Sequence, residues 1–248
     1  MFLRVLTPSA PPHFETTHMP RILAIGDIHG CDTALRTLAG FVPIRDDDLL
    51  VTLGDYVDRG PNTREVLDWL IARFATGRLI PLRGNHEIMM LDARHGEDML
   101  DFWLGVGGRA ALKSYARGND EEEAGDDAGH LSDVPAAHWH FLEHQTRRYY
   151  ETTTHFFVHA NALPDRPLAD QPDDVIFWEK FHNPPPHESG KIMVCGHTPQ
   201  PSYRPLDIGH AICIDTWVYG KGWLTCLDPA TGEYWQANQR GMTRRDWL

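Results

Sequence analysis

Short apolar runs alternate with amphipathic segments along most of this chain. Several of the runs end in glycine, which is typical of buried strands. They predict strands at residues 21–26, 49–53, 79–82, 155–158, 192–195, 210–216, 223–227 and 233–236. Helical spacing of apolar residues predicts helices at 32–39 and 63–74, with Asp32 as the N-cap of the first. This alternation predicts an α/β fold with a parallel or mixed sheet, ending in a hairpin around the turn at 228–232.

Two parts of the chain depart from this alternation. Residues 1–20 are rich in proline and have no sustained periodicity, so we expect a flexible extension there, and Met19 is a candidate alternative start. Residues 88–150 have a mostly helical pattern without strand-end motifs, which predicts a helical insertion. Within the insertion, residues 118–129 are dominated by Asp, Glu, Asn and Gly, and we expect an acidic loop. Residues 21–248 are interpreted as one domain.

The formal net charge of -12 narrows the range of partners. Proteins that wrap a nucleic-acid backbone usually need a basic surface, so this charge argues against a general nuclease. No apolar run approaches the ~20 residues needed to cross a bilayer, and the N-terminus has no secretory pattern. The four cysteines form no CxxC pair, and for the three that lie in apolar stretches we expect buried, reduced thiols. These features favour a cytoplasmic protein without a membrane or nucleic-acid partner.

Side chains that bind metal ions follow five of the predicted strands. The five segments are 26–30 (Gly-Asp-Ile-His-Gly), 54–60 (Gly-Asp-Tyr-Val-Asp-Arg-Gly), 84–87 (Gly-Asn-His-Glu), 158–161 (Val-His-Ala-Asn) and 196–198 (Gly-His-Thr). In an open α/β sheet, ligands bind beyond the carboxyl ends of the strands. We therefore expect these segments to meet in space although they span most of the chain.

The residue types in these segments suit a pair of divalent metal ions. Carboxylates and neutral histidines bind ions such as Mn, Fe, Zn and Co, and an asparagine adds a carbonyl oxygen without charge. A lone Asp-x-His or Gly-His-Thr is usually only a turn, but five such segments, each after an apolar run, are hard to explain as independent turns. The candidate metal ligands are Asp27, His29, Asp55, Asn85, His159 and His197.

Taken together, these motifs resemble those of the calcineurin-like metallophosphoesterase superfamily. Within it, the chain is similar to the phosphoprotein phosphatases, which include the Ser/Thr protein phosphatases, and especially to their small bacterial members. The resemblance covers residues 21 to about 236 and is weakest in the acidic insertion. It implies a four-layer αββα sandwich, in which two mixed sheets pack together between helices.

The resemblance also implies roles for individual residues. Asp27, His29 and Asp55 match the ligands of the first metal, and Asp55 would bridge to a second metal held by Asn85, His159 and His197. The remaining matches concern the phosphate and the leaving group: His86 as the acid, Asp58 as its orienting carboxylate, Arg59 and Asn85 as phosphate-binding groups, and Arg83 as a phosphate-binding or structural residue.

One position departs from the family pattern. Small bacterial members often carry an arginine shortly after a tryptophan downstream of the third histidine motif, whereas this chain has Trp178 followed by Glu179 and Lys180. Lys180 is a candidate replacement, but a lysine cannot make the planar two-point contact of a guanidinium.

The implied chemistry is hydrolysis of a phosphoester by direct attack of a hydroxide shared by two metal ions. Two ions ~4 Å apart lower the pKa of a shared water. The leading candidate metal is Mn, with Fe, Zn, Co or Ni as alternatives. The expected substrate is a phosphorylated protein or a small phosphoester. No segment of the sequence indicates an oligomeric state.

Two alternatives differ from a Ser/Thr protein phosphatase. Symmetrical dinucleoside tetraphosphate hydrolases also begin with Gly-Asp-Ile-His-Gly-Cys, and Cys31 fits that pattern. Their second motif usually lacks the carboxylate at the position of Asp58, and their third usually ends in Asp where this chain has Glu87, so the protein phosphatase is favoured. A catalytically inactive binding scaffold is disfavoured because every ligand position and His86 are present.

Overall fold

The computed structural model describes residues 20–116 and 129–248. Within these ranges the strands are β1 (Ile22–Ile25), β2 (Leu49–Thr52), β3 (Leu79–Pro81), β4 (Tyr149–Glu151), β5 (His155–Val158), β6 (Ile192–Cys195), β7 (Leu206–Asp207), β8 (Ala211–Cys213), β9 (Leu224–Leu227), β10 (Glu233–Ala237) and β11 (Thr243–Trp247). The helices are α1 (Asp32–Phe41), α2 (Thr63–Ala75), α3 (Asn85–Asp92), α4 (Glu97–Trp103), α5 (Arg109–Lys113), α6 (Ala136–His140) and α7 (Asp173–Trp178).

The described strands form two mixed sheets. The first sheet has the order β11-β10-β9-β1-β2-β3, and the second has the order β4-β5-β6-β8-β7. In the first sheet β1, β2 and β3 are parallel, and β9, β10 and β11 complete it in antiparallel fashion. In the second sheet β5, β6 and β8 are parallel, flanked by antiparallel β4 and β7. Each sheet therefore contains three neighbouring parallel strands whose carboxyl ends point to the same edge.

Three hydrophobic clusters hold these sheets and helices in four layers. The cluster between the sheets joins Ala24 and Val51 of the first sheet to Phe157 and Val194 of the second. A larger cluster packs α1, α2 and the helices between residues 85 and 145 against the outer face of the first sheet. The third cluster packs α7 against the outer face of the second sheet. Because strand side chains alternate between the two faces, each run of apolar residues supplies two of these clusters at once.

The predicted fold class is confirmed, with small changes at the element ends. The structure has two mixed sheets covered by helices, and the predicted late hairpin is formed by β9 and β10. The predicted strand at 210–216 is shorter, and β4, β7 and β11 were missed because they are short or lie at sheet edges. The described part of residues 88–150 contains most of α3, all of α4 to α6 and the start of β4, and its assignment as an insertion stays a prediction.

One local prediction is wrong. The N-cap of α1 is Cys31, and Asp32 is already the first helical residue. The Asp32 carboxylate instead pairs with Arg36 one turn later, at 2.8 Å. An acidic side chain in the first turn still interacts favourably with the helix dipole.

Several further expectations concern other features of the chain. The predicted extension at 1–20 lies outside the described residues except for Pro20, and the acidic loop at 118–129 lies outside them except for Gly129. All four cysteines are buried and unpaired, one more than the three expected. Within the described ranges, no helix has the length and apolar character needed to span a membrane.

Candidate metal centre

The carboxyl ends of the parallel strands from both sheets meet at one edge of the sandwich. Two hydrogen bonds join the sheets there. His159, just after β5, donates through Nδ1 to the carbonyl oxygen of Leu53, just after β2, at 2.8 Å. The backbone N–H of His197, two residues after β6, contacts both carboxylate oxygens of Asp27, two residues after β1, at 3.1 and 3.0 Å. The strand-end segments therefore meet as the sequence predicts.

Two groups of side chains place their donor atoms within 4.8 Å of one another at this edge. The first group is His29, Asp55 and His86, and the second is Asp55, His159 and His197. Asp55 Oδ2 lies 3.4 Å from His29 Nε2, whereas its Oδ1 lies 3.3 Å from His159 Nε2. The two oxygens of one buried carboxylate thus face two different sets of nitrogens, as the oxygens of a bridging ligand would.

Backbone carbonyl groups fix the orientation of three of these histidine rings. The bonds run from His29 Nδ1 to Val57 at 2.9 Å, from His159 Nδ1 to Leu53 at 2.8 Å and from His197 Nε2 to Trp178 at 3.0 Å. Because a carbonyl oxygen can only accept, each neutral ring presents the lone pair of its other nitrogen to the site. Burial lowers the pKa of all three rings, in His197 to about 3, which favours this neutral form.

The contacts of Asn85 test whether this set of atoms suits a metal ion. Asn85 Oδ1 lies 3.0 Å from His159 Nε2 and 3.0 Å from His197 Nδ1. In the tautomers set by the backbone, both nitrogens are acceptors, as are the amide oxygen and the nearby Asp55 carboxylate. Acceptors at this spacing repel one another unless a cation lies among them. The buried oxygen and nitrogen donors therefore fit divalent metal ions.

Asp27 lies at the same edge but belongs to neither compact group. Its side chain is buried, and its oxygens contact the His197 backbone N–H. Burial, together with the charges of Asp215 and Asp55, raises the pKa of Asp27 well above its usual range. A nearby cation would lower the pKa of Asp27 and favour the ionised carboxylate. Its role as a ligand stays a prediction, and the same holds for the other predicted ligands.

Asp58 and His86 form a close buried pair beside these donors. The His86 Nδ1 donates to Asp58 Oδ2 at 2.6 Å, which leaves Nε2 as the free ring nitrogen. Burial lowers the pKa of His86, but the charge of Asp55 and the bond to Asp58 outweigh it, so the pKa is raised. The His86 ring stands edge-to-face to His29, with centroids 4.7 Å apart. The Nε2 atom of His86 is therefore the ring nitrogen that can exchange a proton beside His29 and Asp55.

Arg59 places a cation at the same site. Its guanidinium donates to His29 Nε2 at 2.8 Å and lies 4.6 Å above the ring of Tyr219. The Tyr219 ring in turn meets His29 edge-on at 4.8 Å. This arrangement holds a guanidinium, which can bind two phosphate oxygens at once, against the metal donors.

Left-handed backbone conformations occur at several non-glycine residues of this site. Positive φ angles are found at His29 (46°), Asp55 (51°), Asp58 (73°), Arg59 (66°) and His197 (62°). Such conformations cost about 1–3 kcal/mol each and persist only where the surroundings impose them. The sharp turns after the strands aim these side chains at a common point, which regular backbone would not do.

Glu87 holds the loop that carries Asp55. The Glu87 side chain is fully buried, and Oε2 accepts the backbone N–H groups of Gly84 and Asp55, each at 2.8 Å. Oε1 accepts those of Tyr56 at 2.7 Å and Val57 at 3.3 Å. Burial and the charge of Asp55 raise the pKa of Glu87 to about 7, although the backbone donors oppose this. In the sequence, Glu87 served only to distinguish two families of enzyme. Its place in the Gly-Asn-His-Glu motif was the signal that it supports the loop of Asp55.

The remaining predicted phosphate-binding residues lie in different environments. The Arg83 guanidinium donates to Thr146 Oγ1 at 2.9 Å and to the backbone oxygens of Leu142 and Glu143, which favours the structural alternative for Arg83. The Lys180 ammonium donates to the backbone oxygen of His197 at 3.3 Å. Lys180 therefore brings a second cation to the edge of the metal donors.

Sequence reasoning missed one contact in the insertion. The indole N–H of Trp103 in α4 lies 2.9 Å from each carboxylate oxygen of Asp58. Trp103 lies in no motif, and only the tertiary structure brings it within reach of residue 58. Asp215 lies two residues after β8 and is buried. Its Oδ1 accepts the Trp217 backbone N–H at 3.0 Å, and burial raises its pKa to about 7.

Comparisons with curated proteins find partial matches of two kinds. Serine/threonine-protein phosphatase 2 of Salmonella typhimurium is 43% identical over 88 residues, which is 35% of this chain and 38% of that protein. The symmetrical bis(5'-nucleosyl)-tetraphosphatase of Paracidovorax citrulli is 46% identical over 80 residues, which is 30% of this chain and 26% of that protein. The matched region thus spans less than half the length of these relatives.

Solved structures match over most of the chain. A protein described as a candidate diadenosine tetraphosphatase has a TM-score of 0.61 at 18% identity and is matched over 93% of this chain and 95% of its own. A cold-active protein tyrosine phosphatase has a TM-score of 0.54 at 18% identity, over 92% of this chain and 78% of its own. At these identities the likeness shows a shared fold.

Residues 20–221 match the calcineurin-like phosphoesterase family. The chain therefore belongs to the calcineurin-like phosphoesterase family.

Proposed function

We propose that this chain is a dinuclear-metal phosphomonoesterase that acts as a Ser/Thr protein phosphatase. The observation that carries this proposal is the buried pair formed by Asp58 and His86, 2.6 Å apart, beside the carboxylate of Asp55, whose two oxygens face His29 and His159. Metal donors alone would suit many hydrolytic reactions. A protonated histidine beside them is what a poor alkoxide leaving group requires.

The proposed metal ligands divide into two sets that share one carboxylate. Asp27, His29 and Asp55 hold one ion, and Asp55, Asn85, His159 and His197 hold the other. We propose Mn as the physiological metal, because a mixed set of carboxylate, amide and imidazole donors accepts it. When bound, the two ions supply Lewis acidity and lower the pKa of a water molecule.

The protein's own side chains supply the rest of the reaction. Arg59 binds oxygens of the phosphoryl group and stabilises the charge that develops on them. His86 donates its Nε2 proton to the leaving oxygen as the bond from phosphorus to that oxygen breaks, and Asp58 holds the ring in the required orientation. Lys180 adds a positive charge next to His197. We propose a structural role for Arg83, because its guanidinium is engaged by the segment 142–146.

The symmetrical dinucleoside tetraphosphate hydrolase is the second candidate. The relative from Paracidovorax citrulli and the solved structure with a TM-score of 0.61 both carry names of that kind. The contact between Asp58 and His86 favours the protein phosphatase, because a nucleotide leaving group already carries stabilised charge and needs less help from an acid.

A panel of substrates tests the proposal. Protein reconstituted with Mn is incubated with phosphoserine, phosphothreonine and phosphotyrosine peptides and with diadenosine tetraphosphate, and kcat/KM is compared. We expect the phosphoserine and phosphothreonine peptides to be preferred. Preference for diadenosine tetraphosphate by tenfold or more would instead establish the second candidate.

A cheaper measurement separates both enzymes from an inactive scaffold. The metal content of the purified protein and its activity on p-nitrophenyl phosphate are measured together. An active enzyme is expected to bind metal and to lose activity when a chelator removes it. Metal-loaded protein that leaves p-nitrophenyl phosphate, peptides and dinucleotide untouched would contradict every enzymatic proposal made for this site.

A further inference from the structure

Trp103, in helix α4, donates a hydrogen bond to Asp58 of the proposed catalytic pair. Trp103 is fully buried, and its indole Nε1 lies 2.9 Å from Oδ1 and 2.9 Å from Oδ2 of Asp58. An indole nitrogen can only donate a hydrogen bond. The Asp58 side chain is also fully buried, and the other hydrogen-bond donor to its carboxylate in the described structure is His86 Nδ1. Trp103 is therefore one of two groups that orient this carboxylate.

The segment after Trp103 supports the same contact from a second side. The π-helical turn Leu104–Gly108 folds back so that Gly108 lies under the Trp103 ring, where a Cβ would come within 2.5 Å of the indole. Gly107 in the same turn has a φ of 135°, and its carbonyl oxygen accepts the backbone N–H of Arg59 at 3.2 Å. The turn thus fixes the indole and also contacts the residue that follows Asp58.

These contacts make the insertion part of the proton-transfer apparatus. We infer that Trp103 is a positioning residue, whose indole N–H holds the Asp58 carboxylate in the orientation that aims His86 at the leaving group. The inference rests on the proposed function, because it assigns a support to the proposed acid. Among the described residues the indole N–H of Trp103 bonds to Asp58, so its effect on the leaving group passes through Asp58 and His86.

The variant Trp103→Phe removes the N–H and keeps an aromatic ring over Gly108. Loss of a hydrogen bond to a charged group predicts a decrease of about tenfold in kcat for a phosphoserine peptide. For p-nitrophenyl phosphate, whose leaving group needs little protonation, we expect a decrease of less than about twofold. The matched control is Trp139→Phe, because Trp139 belongs to the same insertion but lies against Arg94.

A double-mutant cycle separates positioning from general damage. In the His86→Asn background, Trp103→Phe is expected to have little further effect on the phosphoserine peptide, since the group it positions is absent. Equal losses on both substrates, an unchanged effect in the His86→Asn background, or no difference from Trp139→Phe would each overturn the inference.

A second measurement does not depend on activity. In Zn-loaded protein, the indole N–H resonance of Trp103 is assigned by its loss in Trp103→Phe and followed by NMR. We expect it to exchange slowly with solvent and to shift in Asp58→Asn, while the Trp139 resonance stays in place. An unchanged chemical shift of the Trp103 resonance in Asp58→Asn would overturn the inference. Failure of the wild-type protein to hydrolyse any phosphoester would refute the proposed function, while the resonance would still report whether Trp103 holds Asp58.

Discussion

The buried carboxylate of Glu87 accepts the backbone N–H of Asp55 at 2.8 Å. The same oxygen accepts the N–H of Gly84, and the other oxygen accepts those of Tyr56 and Val57. Because Asp55 has a φ of 51°, its loop needs such support to keep a left-handed turn. Glu87, at the start of α3, thus holds the backbone of the loop that carries the proposed bridging carboxylate.

The first prediction concerns this support. Glu87→Gln replaces one carboxylate oxygen with an amide NH₂ that faces backbone donors, so it leaves buried N–H groups without acceptors. We expect a loss of about 1–3 kcal/mol in the free energy of unfolding, or roughly 2–4 °C in Tm per kcal/mol. Thermal unfolding measures this, with Glu179→Gln at an exposed position as the control. A Tm equal to that of the control would contradict the role assigned to Glu87.

The second prediction concerns Asp55 itself. Asp55→Asn removes a carboxylate whose two oxygens face both groups of donors, so we expect both ions to be lost. His159→Gln affects only the second group, so we expect it to keep the ion beside His29. Changes in groups that merely support a ligand cost ~10–100-fold in metal affinity, so loss of the shared donor is expected to cost more.

Metal analysis after dialysis checks this difference. Asp174→Asn, at an exposed position in α7, should match the wild type. Retention of a full complement of metal by Asp55→Asn would rule out a shared carboxylate.

The third prediction concerns His86. His86→Asn removes the proposed acid but none of the proposed metal ligands. We expect unchanged metal content and a loss of ~10²–10⁴-fold in kcat on a phosphoserine peptide, with a much smaller loss on p-nitrophenyl phosphate. Steady-state kinetics on the two substrates, with metal content measured in parallel, provide the test. Equal losses on both would count against His86 as the acid.

The fourth prediction concerns the close approach of two loops. A Cβ at Gly84 would lie 2.2 Å from Asp55 Oδ1 and 2.5 Å from the Asp55 backbone nitrogen. Gly84→Ala must therefore displace Asp55, and we expect weaker metal binding and lower stability. Gly40→Ala is the matched control, because a Cβ in that position of α1 meets nothing within 4 Å. There we expect a gain of about 0.5–1 kcal/mol in helix stability. Isothermal titration with Mn and thermal unfolding compare the two variants, and wild-type metal affinity in Gly84→Ala would refute the close approach.

Local pattern was enough to predict most of the fold. The runs that became β1, β2, β3, β5 and β6 are apolar on both faces, since each strand lies between two layers. Such a run is visible without knowledge of its partners. Strand β11 escaped prediction because it lies at a sheet edge and alternates exposed with half-buried residues, among them Arg244 and Arg245. Its pairing with β10 is a long-range property that no local run of residues reveals.

The sequence by itself determined which chemical groups this protein can bring to a metal site and where along the chain they lie. Motifs at strand ends are local, so Asp27, His29, Asp55, Asn85, His159 and His197 could be named in advance. Only the tertiary structure decided which group each oxygen of Asp55 faces and which nitrogen of each histidine faces the site. It also decided that Trp103 meets Asp58, 45 residues away in sequence. Those relationships depend on how the two sheets and the helices pack in three dimensions. Packing between distant segments cannot be read from the periodicity of apolar residues, because that periodicity reports only local structure.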